Sequence, residues 1–317
     1  MKRRIVAVLT GLASVACGLV AGISLNGGSA LPESRAACPL AMPMRDDTIL
    51  CKDTERAPST FAQPADEALR AQLNEAMLAL EREGRLAPFT AVQQIDAALI
   101  PDLPEPHAAD EARDSTDLYQ QLAAATVMIH TGYKCDRCAN WHGGVASGFI
   151  IHPDGWVITA AHALRNLEAN RHLSVMLHDR TLHSIAGVAL IDDDADIAVI
   201  WIEALNLPFL PLAADAPSPG APVSVLSHPN GHFYVLTRGV VSRLLDNTAQ
   251  PRQRLQITAP FAIGSSGAPV IDDAGNVVGL ALSTETIYAD PEHQKNPQLV
   301  IPTCTPAEEI RAVIERN

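Results

Sequence analysis

The chain has 317 residues, enough for about two domains, or for one domain of roughly 200 residues with extensions, and for a sizeable core. Hydrophobic residues make up 47% and charged residues 19% of the chain, so the composition excludes a mostly disordered protein. The formal net charge of −13 argues against nucleic acid as a partner, because binding to phosphates depends on Lys and Arg.

The N-terminus has the features of a secretory signal, which we assign to residues 1–30. Residues 2–4 are basic and precede an uncharged apolar run over residues 5–25, and Gly28 and Ala30 supply the small residues of a cleavage site. Two alternatives stay open: an uncleaved membrane anchor, since the run is long enough to cross a bilayer, and a lipoprotein modified at Cys17. All three interpretations export the rest of the chain. We therefore expect a periplasmic or secreted protein that touches a membrane only through this segment.

The cysteines bear on this expectation. The chain has cysteines at positions 17, 38, 51, 135, 138 and 304. Removal of the signal leaves an odd number in an oxidising compartment, where Cys38 with Cys51 and Cys135 with Cys138 are possible disulfides that would leave Cys304 free. Cys135 and Cys138 could instead join His142 in a metal site, but no second CxxC or HxxxH motif follows, so we predict no metal. A thioredoxin-type redox motif would need a βαβ setting that the sequence lacks.

Residues 31–115 form an acidic region punctuated by proline, with two predicted helices. In the first helix Pro64 lies near the start, an apolar stripe follows, and Gly84 is placed to end it. The stripe consists of Leu69, Leu73, Met77 and Leu80. This helix could pack on the main domain, mediate self-association or cover a cleft like a propeptide, and the sequence does not decide between these roles.

A second, shorter helix is predicted to begin after Thr90 and to stop before Pro101. It would present Val92, Ile95 and Leu99 on one face. The proline-rich, acidic stretch from residue 101 to residue 115 is predicted to be a linker.

From about Thr116 to the end, the pattern changes to short β runs separated by turn residues. Residues 149–151 and 156–159 flank the turn 152–155 and predict a hairpin. Further runs span residues 173–177, 185–190, 197–202, 223–226, 234–244, 255–258, 269–271 and 277–282. About ten short strands with almost no helix between them favour an all-β antiparallel barrel or sandwich. A terminal helix is predicted over residues 305–316, with Thr305 as N-cap and Glu308 three residues later.

Three segments in this β region carry residues suited to catalysis. His162 follows a strand end of small residues, Asp196 closes an acidic turn and opens an apolar strand, and Ser266 lies in a glycine-flanked loop that can expose a hydroxyl. Each alone would be unremarkable as a surface or turn residue. Together they fit one mechanism, because a serine becomes nucleophilic when an imidazole takes its proton and a carboxylate orients that imidazole.

These segments resemble the trypsin-like (chymotrypsin-fold) serine peptidases, which carry His, Asp and Ser in the same chain order. The closer resemblance is to the bacterial HtrA-like (Deg) branch, over about residues 118–315. It rests on the motifs at 147–151, 154–159 with His162, 227–231 with 238–242, and 264–269 with 273–279. The resemblance implies two six-stranded antiparallel barrels with the cleft between them. His162 and Asp196 would lie on the first barrel and Ser266 on the second.

The resemblance also implies further site residues. The backbone N–H groups of Gly264 and Ser266 would form the oxyanion hole. The walls of the S1 pocket would come from Pro260, Phe261 and Ala262, and from Leu280, Ala281, Leu282 and Ser283. Two positions depart from the family pattern: Ala268 replaces the usual Gly, and Ser265 replaces the usual Asn. A PDZ domain is not expected after residues 116–317.

The sequence thus predicts an exported serine endopeptidase that needs no cofactor and acts on peptides or unfolded proteins. One competing interpretation is a catalytically silent peptidase fold that binds peptides in the cell envelope. The other is an envelope structural protein whose β domain anchors the acidic segment, which would leave His162, Asp196 and Ser266 without a role. Oligomeric state does not follow from the sequence.

Overall fold

The computed structural model describes residues 64–108, 113–165, 167, 171–247 and 252–317. The predicted signal and Cys17, Cys38 and Cys51 lie outside the described residues. All described elements belong to one compact unit, Pro58–Asn317. None of the helices among these residues has the length and apolar character needed to cross a membrane.

The first predicted helix is present as α1, Asp66–Arg82, and its apolar stripe is buried. Gly84 follows the helix with φ +69°, a left-handed conformation that favours glycine, so it ends the helix as expected. A further helix that the sequence did not predict, α2, spans Ser115–Ala125. Its N-cap is Asp114, whose carboxylate accepts a hydrogen bond from the Thr116 N–H at 2.8 Å.

The prediction of a second helix after Thr90 is wrong. The structure has 3₁₀ turns at Phe89–Ala91 and Ala97–Leu99, separated by the short strand β1, Gln93–Gln94. The Ile95 N–H donates to the Val188 carbonyl at 3.0 Å. The backbone of this segment therefore bonds to a neighbouring strand. Val92, Ile95 and Leu99, which were predicted to share one helix face, lie in or beside an extended segment instead.

A closed six-stranded antiparallel barrel follows α2, with strands in the order β6-β5-β2-β3-β4-β7 and β7 pairing with β6. β1 adds to β6 in parallel. The strands are β2 (Thr126–Lys134), β3 (Trp141–His152), β4 (Trp156–Thr159), β5 (His172–Met176), β6 (Leu182–Asp192) and β7 (Ile197–Ile202). The predicted hairpin is the β3–β4 pair. Its turn needs Gly155, because a Cβ there would lie 2.1 Å from the Ile202 carbonyl oxygen.

The second closed barrel has the order β10-β13-β12-β11-β8-β9, with β9 returning to β10. The strands are β8 (Pro222–Ser227), β9 (Val235–Asn247), β10 (Arg252–Ile257), β11 (Pro269–Ile271), β12 (Val277–Asp290) and β13 (Lys295–Pro306). The prediction of two six-stranded barrels is confirmed. The β12–β13 hairpin continues well past Leu282, where the predicted strand ended.

The terminal helix is present as α3, Ala307–Arg316, but its predicted cap is wrong. Thr305 belongs to β13, and its buried hydroxyl donates to the Ala195 carbonyl at 2.9 Å. Glu308 accepts from the Ala216 N–H at 3.1 Å, so its carboxylate is used on a neighbouring loop. The Thr305 hydroxyl and the Glu308 carboxylate therefore bond to residues far away in the sequence, and local spacing cannot predict such partners.

Each barrel has its own buried cluster of aliphatic side chains, and a third cluster lies between the barrels and the helices. The third cluster includes the α1 stripe, Leu122 of α2 and Ile310 of α3. α1 packs against β3 and β6 of the first barrel. α3 packs against β12 and β13 of the second barrel, so α1 and α3 cover different barrels.

Candidate active site

His162 lies on the 3₁₀ turn Ala161–Leu164, directly after β4. Ala160 and Ala161 before it are fully buried, so small side chains tie this segment to the barrel while the imidazole stays partly open to solvent. The side chain of His162 is 40% exposed. The ring is therefore positioned by its backbone and reachable from the cleft.

Asp196 ends the turn between β6 and β7 with φ +60°, the left-handed conformation that Asp tolerates better than most residues. Its Oδ1 accepts from the His162 backbone N–H at 2.7 Å, and its Oδ2 lies 2.6 Å from His162 Nδ1. Burial acts to raise the pKa of the Asp196 carboxyl, but the hydrogen bonds from the His162 ring and backbone outweigh it and hold that pKa below its ordinary value. An ionised carboxylate can only accept hydrogen bonds, so Nδ1 of His162 carries the proton.

Ser266 lies in the loop between β10 and β11, with its Oγ 2.8 Å from His162 Nε2. With the proton on Nδ1, Nε2 of a neutral ring is the acceptor for this hydroxyl. The loop is fixed to the first barrel because the Ser147 N–H donates to the Ser266 carbonyl at 2.9 Å. Gly267 allows this approach, since a Cβ there would lie 2.2 Å from the Ser147 carbonyl oxygen. Hydrogen bonds thus connect Asp196, His162 and Ser266 across the two barrels.

The predicted oxyanion donors lie in the same loop. Gly264 has φ +92°, and a Cβ there would lie 2.5 Å from the His228 carbonyl oxygen, so this position needs glycine. The Ser147 hydroxyl donates to the Gly264 carbonyl at 2.9 Å. Within the described part of the chain, the N–H groups of Gly264 and Ser266 donate to no other group. They are available for a developing negative charge.

The two departures from the family pattern are accommodated in the core. Ser265 is fully buried, and its hydroxyl donates to Ser227 Oγ at 2.9 Å. Its backbone N–H donates to the Ala262 carbonyl at 2.9 Å. Ala268 is also fully buried and packs in the cluster of the second barrel. Both residues are held by local contacts.

The predicted S1 residues differ in their accessibility. Leu280 and Ala281 are fully buried in the second barrel, Phe261 and Leu282 are half-buried, and Ser283 is exposed. Pro260 and Ala262 are exposed. Positions 280 and 281 are inaccessible in this structure, and the S1 assignment stays a prediction.

A feature that the sequence did not reveal is a cavity of about 460 Å³ that reaches Ile263 and Gly264. One wall is the hairpin segment from Trp141 to Val145, and another is α1, through Arg70, Leu73 and Asn74. The Arg70 guanidinium donates to the Gly231 carbonyl at 2.6 Å, which ties α1 to the opposite rim. A smaller cavity of about 190 Å³ contacts His162 and Ser266 directly. α1 therefore packs on the main domain and also shapes the approach to the site.

The structure has no disulfide among the cysteines of the described residues: Cys304 is fully buried, Cys135 half-buried and Cys138 exposed. Cys138 Sγ lies 3.0 Å from His142 Nε2. The Cys135–Cys138 disulfide stays a prediction.

Two antiparallel barrels with a hydrogen-bonded Ser, His and Asp between them define the class of two-barrel serine peptidase folds. The family described as "Trypsin-like peptidase domain" matches residues 146–280. The chain is 31% identical over 175 residues to serine protease HTRA1B of Danio rerio. The matched region is 52% of this chain and 35% of that protein. It is 32% identical over 139 residues to "Probable periplasmic serine endoprotease DegP-like" of Marinomonas sp., covering 43% of this chain and 29% of that protein.

A longer match, 26% identical over 259 residues, is to a serine protease of Mycobacterium tuberculosis and covers 79% of this chain and 59% of that protein. The chain therefore contains a trypsin-like peptidase domain and is a relative of the HtrA/DegP-like serine proteases. It spans about a third of the length of the first curated relatives that it matches.

Proposed function

We propose that this protein is an exported serine endopeptidase that hydrolyses peptide bonds through an acyl-enzyme on Ser266. The observation that carries the proposal is the unbroken set of hydrogen bonds from Asp196 through His162 to Ser266, with heavy-atom distances of 2.6 and 2.8 Å. These distances lie within the range at which a general base can take a proton from a nucleophile.

The reaction follows from these positions. His162 Nε2 takes the proton of Ser266 Oγ as that oxygen attacks the peptide carbonyl, and it then gives the proton to the leaving amine. Asp196 holds the proton-bearing Nδ1 and stabilises the imidazolium that forms. The N–H groups of Gly264 and Ser266 stabilise the oxyanion of the tetrahedral intermediate. Water then releases the acyl group by the same steps, so no cofactor enters.

The proposed substrates are peptides or unfolded proteins, and the similarity to serine proteases supports this class of substrate. Export is supported by the signal-like N-terminus and by the similarity to DegP-like proteases that are described as periplasmic. Periplasm or extracellular space is therefore the proposed compartment.

A fluorophosphonate probe tests the proposal, because it reacts covalently with an activated serine. We expect the wild-type protein and Ser265→Ala to be labelled and Ser266→Ala to stay unlabelled. Ser265 is the matched control, since it is a serine next to Ser266 that has its own hydrogen-bond partner in Ser227. If well-folded wild-type protein is not labelled, the chain is instead a silent peptidase fold that binds peptides.

A further inference from the structure

The turn that joins β2 to β3 brings together three side chains that bind metals. The Sγ atoms of Cys135 and Cys138 and a ring nitrogen of His142 all lie within 4.8 Å of one another. Cys138 Sγ lies 3.0 Å from His142 Nε2. None of the three side chains takes part in the proposed peptidase mechanism.

The strand register explains why the three groups converge. Lys134 pairs with Trp141 and Tyr133 pairs with His142, so residues 135–140 form the turn. The chain folds back there and carries Cys138 over the start of β3. The Tyr133 ring lies near the His142 ring, with centroids 5.9 Å apart.

The backbone of the turn also holds one of the sulfur atoms in place. The Arg137 N–H donates to Cys135 Sγ at 3.4 Å. In this hydrogen bond the Cys135 sulfur is the acceptor. A metal-bound thiolate can accept the same hydrogen bond. The CxxC segment is therefore already folded around its first sulfur.

We propose that Cys135, Cys138 and His142 form a zinc-binding site at the tip of the β2–β3 hairpin. Two thiolates and an imidazole suit Zn²⁺, which binds sulfur at about 2.3 Å and nitrogen at about 2.0–2.1 Å. A tetrahedral ion at those lengths needs ligand atoms about 3.5–3.8 Å apart, so small rotations of the side chains complete the site. Cys138 and His142 are exposed, which provides an entry path and leaves the fourth position to water.

Binding is an exchange of protons for metal. The thiol protons of Cys135 and Cys138 pass to solvent, and the two sulfurs and His142 Nε2 bond to the ion. A disulfide between the two cysteines would remove both sulfur ligands. The metal site and the disulfide predicted from the sequence therefore exclude one another, and an experiment can separate them.

The test is a titration of the full chain, reduced and freed of metal, first with Co²⁺ and then with Zn²⁺. We expect about one ion per chain, with thiolate-to-cobalt absorption that Zn²⁺ displaces. Cys135→Ser, Cys138→Ser and His142→Ala should each raise the Kd by well over about tenfold, because losing even an outer-shell partner costs 10–100-fold.

Matched controls separate this site from the other cysteines and from catalysis. Substituting Cys17, Cys38 and Cys51 together by serine should leave binding unchanged, as should His293→Asn, which alters an exposed histidine on another hairpin. Ser266→Ala should bind the metal as wild type does, so the result is independent of the proposed peptidase activity. Failure of the reduced chain to bind either ion, or binding that survives Cys138→Ser and His142→Ala, would overturn the proposal. So would a Cys135–Cys138 disulfide in unreduced protein isolated from cells.

Discussion

Asp196 is subject to two opposing effects at the candidate site. Burial acts to raise the pKa of its carboxyl, whereas the His162 ring and backbone N–H act to lower it, and the lowering effects prevail. The carboxylate therefore stays ionised over the neutral range and can hold the His162 Nδ1 proton. The left-handed backbone of Asp196 directs both carboxylate oxygens to one residue.

Substitutions of the three residues should separate their roles. We expect Ser266→Ala or His162→Ala to lower kcat by roughly 10⁴–10⁶-fold with folding intact, and Asp196→Asn to lower it by less. The reason is that the first two remove the nucleophile or the base, while the third only disturbs the ring's tautomer and orientation. Steady-state kinetics on a peptide substrate, with circular dichroism to verify folding, provides the measurement.

The control for this experiment is again Ser265→Ala. If Ser265→Ala abolishes turnover while Ser266→Ala retains it, Ser265 is the nucleophile and the assignment fails.

The predicted S1 residues favour an apolar side chain at the substrate's P1 position. None of residues 260–262 and 280–283 carries a carboxylate, and an unpaired charge is costly to bury. We expect cleavage after small or medium apolar residues such as Val, Ala or Leu. Cleavage profiling with a peptide library measures this, and a profile dominated by Arg and Lys would show that the S1 assignment is wrong.

At the scale of elements, α1 is attached to both barrels by carboxylates near its ends. Asp66 accepts from the Phe233 N–H at 2.9 Å and lies 2.7 Å from His232 Nδ1. Glu81 forms an ion pair with Lys134 and accepts from Trp141 Nε1 at 3.2 Å. The Phe233 N–H holds the pKa of Asp66 below its ordinary value, and the Lys134 side chain does the same for the pKa of Glu81.

This attachment should weaken in acid. A carboxyl whose pKa is lower in the folded state stabilises the fold above its unfolded pKa, and that contribution disappears as pH falls through the folded pKa. We expect the free energy of unfolding in urea to fall as pH drops from about 5 to about 3. The fall should be shallower in the double variant Asp66→Asn, Glu81→Gln.

Glu75→Gln is the matched control for this prediction, because Glu75 is an exposed carboxyl on the same helix. Identical pH dependence in wild type and in the double variant would mean that these two contacts do not hold α1 in place.

At the scale of the whole molecule, the position of Ser265 bears on activation. In digestive trypsin-like enzymes, as the family resemblance implies, an acid before the nucleophile pairs with a newly cut N-terminal amine and so shapes the oxyanion hole. Here the corresponding side chain is a buried hydroxyl bonded to Ser227. A hydroxyl offers no charge to repay the desolvation of an ammonium group. The loop is instead held by Ser147 and by its own backbone.

We therefore expect activity without a cut near Thr116. Chains that begin at Leu31, with and without an added N-terminal tag, should react equally with a fluorophosphonate probe. A chain that begins at Thr116 lacks α1 and its buried stripe, so it should also be less stable towards urea. If only a form with a free, newly cut N-terminus reacts, the protein is a zymogen and this inference is wrong.

Much of the fold followed from the sequence because its signals are local. Short alternating runs, turn residues and the helical stripe of α1 depend on neighbours in the chain, and the structure contains the corresponding strands, turns and helix. The three residues of the candidate site were also found locally, since each lies in a distinctive segment. Their hydrogen-bond distances required the folded chain, because His162 and Ser266 are 104 positions apart.

The sequence by itself determined the all-β class, the helix α1 and the identity of the candidate catalytic residues. Tertiary structure alone decided that residues 93–94 pair with β6, that Thr305 bonds to Ala195, and that α1 walls the cavity beside Gly264. It also decided that His142 meets Cys138, which sequence spacing left open. In each case a backbone or side-chain group could satisfy its hydrogen bonds or packing in more than one way. Except for His142 and Cys138, which are four positions apart, the partner is distant in sequence, and only the packed barrels bring it within reach.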